Sequence, residues 1–411
     1  MTKPIHILIL ADGRSPTTQS WVRNLINLNF KVSLVSSFEC PPLNDLENFY
    51  VLPFAFSQFA GRFTNKKESQ TTSKPVFSFL KKFLIPNADI LQKIRYGFGP
   101  LDLYLKATKF KKIVRRISPD FIHALRIPFE GMLGRFAPND IPFLVSTWGN
   151  DFTLHAHGSC LMKHSTRACL KRADGLTSDA KRDIQLAQNW GFEKTKPTLY
   201  IPGSGGVDLQ SIQESETNLF KAEEYEIPPD RFWIVNARGF RPGYVHNDAF
   251  FAAIPKVIKT HPQAYFICPS LEGYTEPAWL SEETTRNNVK LLPRLPQEQL
   301  WALFKQCPLF ISPSSHDGTP NSLLEAMACG CFPIAGDIDS IREWIEHGRN
   351  GFLVDAQNPQ ALADAIVKAI DMPEIRKSAF VINMGLIKEH AELTINQQRL
   401  KLFYNQFINK S

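Results

Sequence analysis

Residues 312–330 read SPSSHDGTPNSLLEAMACG. An apolar run, 309–311, precedes them and reads as a short buried strand. Thr319 suits an N-cap, Pro320 the first helical position and Gly330 the C-terminal cap, so the stretch predicts a helix over about 320–329. The loop that carries Gly318 therefore joins a strand to a helix start. Unpaired N–H groups around Asn321, Ser322 and Leu323, together with the positive end of the helix dipole, make that start a natural anion site. Glu325 lies about 7 Å further along the axis at roughly 1.5 Å per residue. A diphosphate at the helix start would leave Glu325 within reach of a ribose hydroxyl. Asp317 would face whatever is attached to the far phosphate. Two carboxylates around one helix start suggest a ligand with hydroxyls at both ends and phosphates between.

Outward from this stretch the chain reads as α/β. Apolar runs at His6–Ala11, Lys31–Ser36, Phe121–Ala124, Phe143–Thr147, 176–178 and 199–201 predict strands in the first half. Runs at 232–237, 264–267, Val289–Leu292, 309–311 and 332–335 predict strands in the second, and a short apolar piece, Phe352–Val354, precedes the helical pattern at about 359–370. Helical patterns alternate with them, the signature of parallel sheets. The two halves flank a Gly-rich joint, 202–206, so three segments are expected: residues 1–202, residues 203–385, and a C-terminal helix over 386–411 that crosses back to the first domain. Residues 58–116 break the rhythm and read as an insertion of loops and amphipathic helices. Open parallel sheets bind ligands beyond the carboxyl ends of their strands. Two such sheets facing each other would form a deep cleft.

The residues then point to a family. The segment 312–330 resembles the donor-site signature of the family-4 retaining glycosyltransferases (glycosyltransferase group 1, GT-B fold), in which two acids are separated by seven residues. Asp317 and Glu325 have that spacing, although the family usually has Glu first. The resemblance runs on through FPIAGDIDSIREWIEHGRNGFLVD. Upstream it takes in NVKLLPRLPQEQLWALF, which matches the strand and helix bracketing the nucleobase and puts Arg294 and Leu295 beside it. PGSGGVD at 202–208 is similar to the interdomain stretch and brings Gly205 and Gly206 into view. Together these cover most of residues 200–370. The resemblance implies that Arg238, after the strand 232–237, holds the diphosphate. No Lys follows it where the family has one; Arg241, Tyr244 and His246 are the candidates to replace it. In the first half, Trp148-Gly149-Asn150-Asp151 resembles the family's H-G-x-D loop with Trp in place of His. Asp12 and Gly13 sit where the family has a Gly-rich turn near the donor phosphates. His123, at the end of a strand, is a further cleft candidate.

The resemblance implies a nucleoside-diphosphate sugar as co-substrate, retention of anomeric configuration, no required metal and no other cofactor. The acceptor is a glycan, a lipid-linked or a small molecule. Two other readings stay open: a nucleotide-sugar epimerase of the same architecture, and a non-catalytic nucleotide-sugar-binding module.

Composition narrows the rest. The net charge of +7, from 47 basic and 40 acidic side chains, favours anionic partners without choosing among them. Seven cysteines, an odd number without a C-x-x-C pair, argue against a disulfide framework. No signal peptide or membrane span is expected, which points to the cytoplasm. Lys81, Lys82, Lys111, Lys112, Arg115 and Arg116, interleaved with Phe79, Phe83, Leu84, Tyr96, Phe98 and Tyr104, suggest a peripheral contact with the inner face of the membrane. No nucleic-acid-binding module is recognisable. Asp337-Ile338-Asp339 spells a D-x-D metal motif but lies in a loop of the second half. His155, His157, Cys160 and His164 lack the spacing of a zinc set. The glycines at 203–206 lack the context of a dinucleotide fingerprint.

Overall fold

The computed structural model describes residues 4–55, 57, 88–274 and 283–408. Lys81, Lys82, Phe79, Phe83 and Leu84 lie outside these residues. The chain divides into two compact units: Met1–Tyr200 with Gln397–Ser411, and Ile201–Asn396. The last helix, Leu393–Asn405, thus runs out of the second unit and into the first.

The first unit carries, among the described residues, a parallel sheet. Its strands are β1 His6–Ala11, β2 Lys31–Ser36, β3 Asn48–Val51, β4 Phe121–Ala124, β5 Phe143–Thr147, β6 Gly175–Ser178 and β7 Thr198–Tyr200. Their order in space is β3-β2-β1-β4-β5-β6-β7. The chain winds outward in one direction from β1 and then in the other from β4, so β1/β4 is the point where the order switches. The second unit repeats the plan with β8 Phe232–Val235, β9 Ala264–Pro269, β10 Val289–Leu292, β11 Leu309–Ser312, β12 Phe332–Gly336 and β13 Phe352–Val354, ordered β10-β9-β8-β11-β12-β13. Here the switch falls at β8/β11.

The reason these segments are strands is burial on both faces. Every residue of β4, β5, β9, β11 and β12 is buried, as expected of parallel strands covered by helices on either side. The first core gathers residues such as Leu8, Phe110, Ile122 and Phe143, and the second Phe250, Phe266, Ile311 and Ile366. Helix Leu393–Asn405 fixes itself in the first unit through Tyr404, which is fully buried. Its hydroxyl accepts a hydrogen bond from Trp21 Nε1 at 3.3 Å and lies 2.7 Å from His123 Nδ1. The described residues of the insertion belong to a long helix, Ala88–Ile117, with Pro100 inside it.

Candidate functional site

The carboxyl end of β8 leads through Asn236 to Arg238. Asn236 is buried; its side-chain oxygen accepts from the Arg238 N–H at 3.1 Å, and its amide donates to Asn247 Oδ1 at 3.4 Å. Asn247 in turn donates to the Gly239 carbonyl at 3.0 Å, where the chain turns at positive φ. This amide pair shapes the turn that aims Arg238 across the switch point. Arg238 Nη2 donates to Asp317 Oδ2, and Nη1 to Ser322 Oγ at 3.3 Å. The structure therefore brings Arg238, Asp317 and the helix start together at one place, the switch point where ligands bind in such sheets. Burial lowers the pKa of Arg238, and the Asp317 carboxylate opposes that effect. Its Nε is buried without a hydrogen-bond partner.

Asp317 is held from three sides. Besides Arg238, its Oδ1 accepts from the Gly318 N–H at 3.1 Å and its carbonyl accepts from Ser340 Oγ at 2.7 Å. The helix runs Asn321–Cys329, with Gly330 at positive φ closing it. The cap differs from expectation. Pro320, extended at φ −67° and ψ 126°, occupies the N-cap position, and no side chain caps the helix. Thr319 stands one residue before that position, and Trp344 Nε1 donates to its hydroxyl at 3.1 Å. The effect is to leave the helix start open: the first helical hydrogen bond goes from Leu323 N to the Pro320 carbonyl at 3.0 Å, and the N–H groups of Asn321 and Ser322 precede it. Asn321 donates its amide to Ser204 Oγ, tying the Gly-rich joint to this helix. Leu323 is buried beneath.

Glu325 stands on the same helix and accepts from Gln297 Nε2 at 2.9 Å. The residue is half-buried. Burial of its carboxyl is the main influence and pushes it up to about 7, against the opposing pull of Gln297 and the Trp301 indole. The indole N–H faces this carboxyl without completing a hydrogen bond. Ahead of helix Gln297–Gln306, Arg294 is exposed and Leu295 buried.

The candidates for a second cation separate. Arg241 is exposed, with Nε donating to the Arg238 carbonyl at 3.2 Å. His246 Nε2 lies 2.8 Å from Ser315 Oγ, and the Tyr244 carbonyl accepts from the Ser315 N–H at 2.9 Å. His246 and Tyr244 therefore brace the loop, whereas the Arg241 guanidinium keeps its two terminal nitrogens clear of any hydrogen bond among the described residues.

Several sequence candidates have structural positions instead. His123 is a correction: it is fully buried on β4, between Tyr404 Oη and Ser146 Oγ at 2.7 and 2.9 Å. Burial pushes it down to about 3, so it is a neutral core histidine with no face for a ligand. Gly206, at φ 127°, packs backbone to backbone; a Cβ there would lie 2.7 Å from the Ala391 carbonyl oxygen. Gly205, also at positive φ, belongs to the same turn. Asp337 and Asp339 both pair with Arg342, and no group of metal-ligating side chains occurs among the described residues. His155 bonds Tyr96 rather than a metal set.

In the first unit, Asp12 grips Arg14, the Gly13 N–H donates to Ser36 Oγ at 3.1 Å, and Trp148 is half-buried. Gly149 accepts from Arg182 at 2.9 Å through its carbonyl. Asp151, which follows Trp148-Gly149-Asn150, is buried and accepts from the Ile127 and Trp148 N–H groups and from Arg126. It pins the loops after β4 and β5 to each other. Sequence reading passed over Asn236, Ser340 and Trp344, which orient the site. Their only local signal was position just beyond a strand or within the loop after β12.

The chain is similar to known proteins in sequence and in fold. Residues 253–380 match the family described as Glycosyl transferases group 1, and residues 88–180 match Glycosyl transferase 4-like. The chain is 31% identical over 283 residues to the GDP-mannose:cellobiosyl-diphosphopolyprenol alpha-mannosyltransferase of Xanthomonas oryzae pv. oryzae, covering 66% of this chain and 67% of that one. It is 28% identical over 110 residues to a D-inositol 3-phosphate glycosyltransferase of Thermobispora bispora, and there it spans only about a quarter (26%) of the relative's length. In fold it is similar to Anabaena HepE, solved in complex with UDP and glucose, with a TM-score of 0.70 and 15% identity over 98% of this chain and all of that one. The chain belongs to the group 1 glycosyltransferases of the family-4 type, with the GT-B fold of two Rossmann-like domains.

Proposed function

We propose that this chain transfers a sugar from a nucleoside-diphosphate sugar to a hydroxyl of a glycan, lipid-linked or small-molecule acceptor, with retention of configuration and without a metal. The observation that carries the reading is the meeting of Arg238, Asp317 and Ser322 at an uncapped helix start. Breaking a glycosidic bond to a diphosphate builds negative charge on the leaving oxygen. A desolvated guanidinium and a helix end, both fixed before the reaction, stabilise that charge most where water is excluded. Asp317, immobilised by Arg238 and Gly318, supplies a carboxylate beside the sugar. Glu325 takes the ribose. These positive groups supply what a divalent cation supplies elsewhere, and Asp337 and Asp339 are already engaged with Arg342.

The test is incubation with a panel of UDP-, GDP-, ADP- and TDP-sugars in excess EDTA. Release of the nucleoside diphosphate and of sugar in the donor's anomeric configuration, read by proton NMR, is the expected result. Activity that appears only with Mg²⁺ or Mn²⁺, or an inverted product, contradicts the mechanism. An epimerised donor favours the epimerase reading, and silence with every donor the non-catalytic one.

The same proposal places the protein in the cytoplasm, against the inner membrane face. No helix among the described residues is long and apolar enough to cross a membrane. Helix Ala88–Ile117, however, exposes Ile94, Phe98, Leu101 and Leu105 at spacings of one helical face, and Leu105 is 79% exposed. Lys111, Lys112 and Arg116 follow on the same helix, while Arg115 pairs with Asp140. Basic residues near an anionic surface contribute about 1 kcal/mol each. Flotation with phosphatidylglycerol vesicles should show binding at low salt that high salt and Phe98→Ser with Leu105→Ser each remove. No binding at low salt contradicts the contact.

A further inference from the structure

Three arginines gather at the carboxyl ends of the first sheet, where β1 and β4 make its switch point. Arg14 follows β1, Arg126 follows β4, and Arg95 comes from helix Ala88–Ile117. Two of them have carboxylates of their own. Arg14 donates through Nε and Nη2 to both oxygens of Asp12, each at 3.0 Å, and lies 3.6 Å above the Phe38 ring. Arg126 donates to buried Asp151 at 2.9 Å and to Asn150 at 3.1 Å. Arg95 differs: it makes no hydrogen bond or ion pair among the described residues, and its Nε is buried without a partner. Its guanidinium rests on aromatic faces, 4.4 Å from the centre of Phe129 and 5.8 Å from that of Phe38.

The platform beneath it is strained. Phe129 sits at φ 66° in a kinked turn that the Gly131 N–H closes by donating to the Arg126 carbonyl at 2.8 Å. A bulky residue at positive φ is costly, and such strain concentrates at functional sites. Glu130, next in the chain, is buried with Ser37 Oγ donating to it at 2.5 Å, and burial pushes its carboxyl up. Tyr96 Oη and His155 Nδ1, 2.6 Å apart, border the group, and burial keeps His155 neutral. Asp12 pairs with Arg14 and Asp151 with Arg126, while buried Glu130, bonded by Ser37, faces Arg95 and Arg126 through its charge. Arg95 is the arginine of the three without a hydrogen bond or ion pair to a carboxylate among the described residues. Burial disfavours its charge, Glu130 opposes that only in part, and its planar fork matches the geometry of a phosphate.

We infer that Arg95, flanked by Arg14 and Arg126, binds a phosphate or diphosphate group carried by the acceptor. Calling the anion part of the acceptor rests on the sugar-transfer reading; the anion site itself does not. Calorimetry with inorganic pyrophosphate on the full chain tests it. The parent should bind at two independent sites, one lost in Arg238→Gln and the other in Arg95→Gln. Loss of a hydrogen-bonded charge should weaken the Arg95 site by about tenfold or more. Arg95→Gln should keep parental nucleotide-sugar binding. Should Arg95→Gln fail to fold, Arg95→Lys keeps the stem and charge without the fork, and it too should weaken that site with the fold intact by circular dichroism.

Two further arms separate the sources of the group: glucose 1-phosphate in solution, and phosphatidylcholine vesicles with and without polyprenyl phosphate. Binding in either arm that Arg95→Gln abolishes supports the inference and names the source. Parental stoichiometry and affinity for pyrophosphate in Arg95→Gln, or in folded Arg95→Lys, overturns it. If the parent binds pyrophosphate at Arg95 but no nucleotide sugar, the anion site stands and the sugar-transfer reading falls.

Discussion

Arg238→Ala should lower the transfer rate by roughly 100-fold or more, the scale of about 2.7–4 kcal/mol seen when a fixed charge-stabilising donor is removed. The size follows from where the side chain sits. Arg238 is 6% exposed, so water does little to weaken its field. It touches both Asp317, proposed to lie beside the sugar, and Ser322, at the helix start proposed to hold the diphosphate. The alanine variant loses the cation and also the brace that fixes Asp317. Because charge grows in the transition state, kcat should fall more than donor affinity. Arg238→Lys should recover part of the rate, since one ammonium cannot serve Asp317 and Ser322 with the geometry of a fork. A steady-state comparison of the three proteins decides the matter. An unchanged kcat in the alanine variant would transfer the role to Arg241, whose terminal nitrogens lie nearby on the same loop.

Glu325→Gln should raise the dissociation constant of the nucleotide sugar by roughly 10- to 100-fold, as expected for hydrogen bonds to a charged group worth about 1.5–3 kcal/mol. The pH dependence is the sharper signature. In the free protein burial holds the Glu325 carboxyl near 7, above its ordinary 4.5. A ribose diol donates hydrogen bonds and favours the carboxylate, so the bound form must have a lower pKa. Binding then releases a proton, and affinity falls as pH drops below about 7 and levels off above it. A nucleotide sugar has no second phosphate ionisation near neutrality to imitate this. Calorimetry in buffers of different ionisation enthalpy should detect the proton with the parent and none with Glu325→Gln. The same shift has the opposite consequence for folding. A carboxyl raised in the folded state adds stability that is lost as pH climbs from 4.5 through 7, so Glu325→Gln should melt higher than the parent at pH 8. Equal affinity and equal pH profiles in the two proteins would remove Glu325 from the donor site.

The strands of the second unit were legible because parallel strands covered on both faces are runs of apolar residues, and turns such as Asp317-Gly318 mark their ends. β3, Asn48–Val51, left no such mark: it lies at the sheet edge and all four of its residues are half-buried. Helix Ala88–Ile117 was readable only as broken amphipathic pieces. Pro100 interrupts it, and it carries apolar residues both inward, as Leu103 and Phe110, and outward, as Phe98 and Leu105. The donor-side residues announced themselves because Asp317, Ser322 and Glu325 are close in sequence. Thr319 looked like a cap, and the residue that donates to its hydroxyl, Trp344, is 25 positions away. His123 looked like a cleft residue because its partner Tyr404 is 281 positions away. Arg14, Arg95 and Arg126 belong to three separate segments, and only the strand order that sets β1 beside β4 brings two of them to one switch point. The local sign, an arginine just past each strand, was present but weak.

In the proposed mechanism one helix start, Asn321–Cys329, holds the diphosphate of the donor between Arg238 and Glu325. A crystal structure with the nucleotide sugar that most raises the melting temperature, chosen from the UDP, GDP, ADP and TDP series, tests it most directly. Phosphate oxygens are expected within hydrogen-bond distance of Arg238 and of the Asn321 or Ser322 N–H groups, with a ribose hydroxyl on Glu325. A nucleotide bound elsewhere, or bound at this helix with its ribose away from Glu325 and its phosphates away from Arg238, would contradict it.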